Sequence, residues 1–92
     1  MTRPLDISAN AGAVTANSGE TAFELGMAYS SGAGGMPLDL VQAHRWLNVA
    51  ALCGHRPAQA WRAEIAAEMS AGEVVEAQRL ARSTLSVIRQ AA

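Results

Sequence analysis

Lysine is absent from this chain of 92 residues, and its seven basic residues, all arginine, are outweighed by eight acidic ones. With a formal net charge of -1 and no basic cluster, the chain lacks the long-range field that draws in nucleic acid or an anionic membrane surface. Neither partner is expected. Cysteine occurs once, at Cys53, which excludes an internal disulfide framework. Nothing near Met1 reads as a positively charged segment followed by an apolar run and a cleavage site, so a reducing cytoplasm is the expected location. Long apolar runs are missing too: the longest, Val49 to Cys53, falls far short of the roughly 20 residues that span a bilayer. Aromatic residues are scarce, limited to Phe23, Tyr29, Trp46 and Trp61. A domain of this size buries only about 60% of the surface its unfolded chain exposes. Alanine is the commonest of its apolar residues. Both tryptophans are therefore expected in the core, where truncating either should be severe.

What is present is helical periodicity without a strand pattern. Met1 to Ser18 mixes Ala, Ser, Asn, Thr and Gly and reads as an N-terminal arm, dispensable for folding, ahead of a domain spanning 19–92. From Glu20, the residues Ala22, Leu25, Gly26 and Tyr29 fall on one face at spacings of three and four. Gly26 costs a helix interior about 0.5 to 1 kcal/mol relative to alanine, which implies that another backbone comes close there. Phe23 and Met27 lie on a different side of that helix. Gly32, Gly34 and Gly35, followed by Met36 and Pro37, break it into a loop. The Lys and Ser/Thr of a phosphate-binding loop are missing, and no strand precedes it.

Asp39 is a helix cap, with Gln42 placed to reach back in a capping box. Leu40, Ala43, Leu47, Ala50 and Ala51 form the apolar stripe of this second helix, with Trp46 at its edge. Gly54 stops the helix near Cys53. Pro57 opens a third helix whose apolar positions are Ala58, Trp61, Ile65 and Met69. Ser70 and Glu73 make a second capping box for a longer fourth helix, Ala71 toward Gln90. Its charge order, Glu73 and Glu76 early and Arg79, Arg82 and Arg89 later, suits the helix dipole.

The sequence also matches itself. A shift of 36 lays Ala22, Leu25 and Tyr29 on Ala58, Trp61 and Ile65, and a shift of 34 lays DLVQAHRWL from Asp39 on EVVEAQRLA from Glu73. The pattern Ala22, Leu25, Gly26, Tyr29, Gly32, Gly34, Asp39, Ala43, Trp46, Ala50, Ala51, Gly54 and Ala58 resembles the Sel1-like repeat, a relative of the tetratricopeptide repeats. It covers Ala22 to Ala58 well and the rest in part. The loop departs from the family pattern by one extra residue before Asp39 and by Met36 where valine is usual. The expected fold is all-α: two stacked antiparallel helix hairpins in a short tetratricopeptide-like array, with a longer C-terminal helix. The resemblance implies a non-catalytic module for protein association, an adaptor or scaffold.

The rival chemistries are weak by residue count. Cys53, His55 and His44 are too few for a zinc site. Cys53 with a histidine base would also need an orienting group and an oxyanion site to serve as a nucleophile. No cofactor, metal or catalytic residue is expected. The alternative reading is a helix-turn-helix DNA-binding regulator, with the fourth helix in the major groove, but Glu73 and Glu76 would there face phosphates. For partner binding the sequence nominates Phe23, Met27, Leu85, Val87 and Ile88. The stripe of Ala77, Ala81, Leu85 and Ile88 runs past the point where the second helix stops, and it is expected to lack partners in its own chain. A protein partner or a second copy, joined through this C-terminal helix, would cover it.

Overall fold

The computed structural model describes residues 18 to 91, with side chains as far as 90, so the expected N-terminal arm lies outside the described residues except for Ser18, which is buried as the first residue of a helix. Within them the fold is all-α, as expected: α1 Ser18–Ser31, a single 3-10 turn Ala33–Gly35, α2 Leu40–Leu52, α3 Pro57–Ala66 and α4 Ala71–Ala91.

Each boundary has a local cause. Gly32, Gly34 and Gly35 hold φ of 73°, 66° and 81°, the left-handed region that glycine enters without a steric penalty, and they reverse the chain after α1. The Asp39 backbone N–H donates to the Tyr29 carbonyl at 3.0 Å, fastening the end of this loop to α1. The Asp39 carboxylate accepts from the Gln42 N–H at 3.1 Å, which caps α2. Gln42 does not complete the expected box. Its side-chain oxygen instead accepts from Arg45 Nη1 at 3.0 Å, because the Asp39 N–H is already spent on Tyr29. At the far end Gly54 takes φ 94°, and the N–H groups of His55 and Gly54 donate to the carbonyls of Ala50 and Ala51 at 2.9 and 3.1 Å. This pair of bonds is the Schellman arrangement, which satisfies helix-end carbonyls that would otherwise be orphaned. The box at α4 is complete: the Ser70 N–H donates to Glu73 Oε1 at 2.8 Å, and the Glu73 N–H donates to Ser70 Oγ at 3.1 Å.

Helix α2 is the centre of the packing, touching α1, α3 and α4 in turn. It buries Ala43, His44, Trp46, Leu47, Val49 and Ala50. Against α1 the approach is close. A Cβ built on Gly26 would sit 2.8 Å from Leu47 Cγ and 3.1 Å from the Leu47 backbone nitrogen, so only glycine admits Leu47 here. Against α4 the seam is Ala77, Ala81, Leu85 and Ile88, all buried. It is supplemented by Arg45, whose Nε and Nη2 donate to Thr84 Oγ1 at 3.1 and 3.0 Å, while the guanidinium carbon lies 4.5 Å from the Trp46 ring centroid.

The second hairpin is more open than the first. The backbones of α3 and α4 hardly approach one another, and each leans on α2. The self-alignment supplies a reason. The shift that lays Leu25 on Trp61 lays Gly26 on Arg62, and the shift that relates α2 to α4 lays Leu47 on Ala81. Where the first hairpin has a glycine receiving a leucine, the aligned positions of the second are Arg62 and Ala81. The second hairpin thus lacks the glycine that admits close approach in the first.

Candidate interaction surface

The nominated residues separate on inspection. Leu85 and Ile88 are buried against α2, so the expectation that the stripe of Ala77, Ala81, Leu85 and Ile88 lacks partners in its own chain is corrected: α2 covers it. Val87 lies about 80 to 160° around α4 from the stripe and is 49% exposed. Phe23 and Met27 are half-buried and pack on the core, Phe23 with its ring centroid 4.4 Å from that of His55. The five do not form one surface.

The tryptophans also divide. Trp46 is buried at 8% exposure, as expected, but Trp61 is 44% exposed, contrary to the expectation that both fill the core. On α3 the residues turned to α2 are Ala58 and Ile65, seven apart and nearly superposed along the axis, whereas Trp61 is rotated about 40 to 60° from them at 100° per residue. In α1 the aligned Leu25 is covered because α1 and α2 close together. At Trp61 the missing closure of α3 on α4 leaves the ring uncovered.

Trp61 therefore flanks an outward face of α3. It lines a shallow open groove with Ala60 and Glu64, and Arg56, Ala60, Glu64 and Ala67 run down that face, all exposed. Arg56 occupies the N-cap position in helical geometry, φ -59° and ψ -43°, and caps nothing with its side chain. A cation at the N-terminus and a carboxylate toward the C-terminus oppose the helix dipole. The first turn has no acid and the last turn no base. Helix α4 does the reverse, with Glu73 in its first turn and Arg89 in its last. Among the described residues neither the Arg56 nor the Glu64 side chain has a hydrogen-bond or ion-pair partner. These residues were not nominated from the sequence, although the spacing of four between Arg56, Ala60 and Glu64 and the reversed charge order were visible there.

Beneath α3 lies an unusual polar cluster. His44 is fully buried, and neither ring nitrogen has a hydrogen-bond partner. Burial holds its pKa below the ordinary histidine value, and the nearby Arg62 guanidinium lowers it further. Arg62 donates from Nη2 to Gln59 Oε1 at 2.8 Å, while its buried Nε has no partner. Among the described residues no three His, Cys, Asp or Glu side chains gather as a metal would require. Among the described residues no helix is long and apolar enough to cross a membrane. In comparisons with protein-family models, curated proteins and solved structures, nothing matched the chain.

Proposed function

We propose that the chain is a protein-association module of the Sel1-like, tetratricopeptide-like kind, whose outward surface on α3 meets a protein partner. The observation that carries this reading is the 44% exposed Trp61 beside a groove shared with Ala60 and Glu64. The ring stands half out of water beside a face of Arg56, Ala60, Glu64 and Ala67, and tryptophan is among the residues that dominate binding energy at protein interfaces. The repeat reading has its own support: Ala22, Leu25 and Gly26 of the motif are buried, with Gly26 receiving Leu47 of α2, and Gly54 ends α2 in a left-handed turn.

Affinity capture from the native cell extract, followed by mass spectrometry, tests the proposal when native chain and Trp61→Glu are used side by side as baits. The expected result is a protein retained by the native chain and lost with the variant, with unchanged helical circular dichroism. Retention of DNA in a salt-dependent manner would favour the helix-turn-helix alternative instead.

A further inference from the structure

We infer that the α3 face pairs with a second copy of itself, antiparallel about a two-fold axis passing close to Ala60, so that Arg56 of each copy meets Glu64 of the other. The inference rests on the association reading above and adds a second copy of the chain as an occupant of that surface.

The face is self-complementary in charge. Arg56 and Glu64 stand four residues either side of Ala60, and at 100° per residue the three lie within roughly 80° of one another. A two-fold rotation about Ala60 that reverses the helix direction exchanges the two end positions, bringing cation onto carboxylate at both ends. A parallel pairing would instead set like charges together. The small Ala60 at the crossing point, with Ala67 further along, lets two helix backbones come near, and Trp61 at the flank is placed to cover the seam from each side. The reversed dipole order of α3 has a use in this arrangement: in an antiparallel pair each misplaced charge lies against the opposite end of the neighbouring helix, whose dipole favours it. The groove beside Trp61 is open, and Arg56, Ala60, Trp61 and Glu64 are all exposed. Because α3 has 10 residues, about 15 Å of helix, the contact is small and the pairing is of the transient class.

Sedimentation velocity across a concentration series at low salt reads the result directly. The native chain should show a reversible dimer that weakens as salt rises. Arg56→Glu and Glu64→Arg should each weaken it about tenfold or more, since both symmetric pairs turn repulsive at once. The double variant R56E/E64R recreates both attractive pairs, though against the less favourable helix ends, and should bind clearly more tightly than either single variant. Circular dichroism should be the same in all four proteins, because both positions are exposed. A native chain that stays monomeric at roughly millimolar concentration, a dimer indifferent to the single substitutions, or a double variant as weak as the singles would each overturn the inference. The capture experiment with Trp61→Glu would still stand or fall on its own result, since it reads foreign proteins and not self-pairing.

Discussion

A methyl group on Gly26 would have to displace Leu47, and because one of the atoms it meets is the Leu47 backbone nitrogen, rotating the leucine alone does not relieve the overlap. Gly26→Ala is expected to destabilise the chain by about 1 to 3 kcal/mol, the range for forced overpacking, even though alanine is the better helix former. Urea melts decide this, and a variant more stable than the native chain would contradict the account of the α1 and α2 seam. The same measurement separates the tryptophans. Trp46→Ala should lose about 3 to 5 kcal/mol, as large core truncations do, and Trp61→Ala less than about 1 kcal/mol. Equal losses would put Trp61 in the core after all. His44 gives a pH dependence whose sign follows from its burial. The unfolded chain takes a proton on this ring near 6.5, while the folded chain resists it to lower pH. Below that value the unfolded state holds more protons, so the stabilisation is complete above pH 6.5 and is lost as pH falls toward the lowered folded value. Melts from pH 7.5 down to 5 should show a slope of up to about 1.4 kcal/mol per pH unit from this group, flattened in His44→Leu. An unchanged slope in the variant would assign the acid sensitivity elsewhere.

At the scale of elements, caps and stops were legible in the sequence because they act through neighbours along the chain. Asp39, Gly54, Pro57 and the Ser70 and Glu73 pair each stand where the structure uses them. The face of α1 was legible for the same reason, since Ala22, Leu25 and Gly26 recur at helical spacing. The failures are tertiary. Nothing local says that the Asp39 N–H is taken by the Tyr29 carbonyl, which leaves Gln42 free for Arg45. The coverage of Leu85 and Ile88 likewise depends on α4 leaning against α2, a contact between segments nearly 40 residues apart that periodicity cannot specify. The cap of α4 offers the plainest check at this scale. Ser70→Ala removes the acceptor of the Glu73 N–H and should lower stability by about 1 kcal/mol in a thermal or urea melt. No change would mean that the complete box contributes nothing to the fold. The neighbouring Glu76 and Arg79 pair is different in kind. Arg79 holds the Glu76 carboxyl below its ordinary range by a hydrogen bond, but the pair is exposed and solvent screening leaves it little weight.

At the scale of the molecule, α2 organises everything described: α1 closes on it through Gly26, α4 through an alanine-rich seam and the Arg45 to Thr84 bonds, and α3 through Ala58 and Ile65 with Arg62 beside His44. The open second hairpin leaves α3 and α4 each leaning on α2, and the outer side of α3 carries the exposed Trp61. Small chains normally unfold as one unit, yet α3, which buries only Ala58 and Ile65 where α4 buries Ala77, Ala81, Thr84, Leu85 and Ile88, can open ahead of the rest. Native-state amide hydrogen exchange tests this organisation most directly. The amides of α2, with their partners in α1 and α4, should exchange only through global unfolding, while those of α3 should exchange through a smaller opening at clearly lower free energy. If α3 and α4 were instead protected together, as a closed pair, and α2 were no better protected than either, the central place given to α2 and the freedom given to the α3 face would both be contradicted.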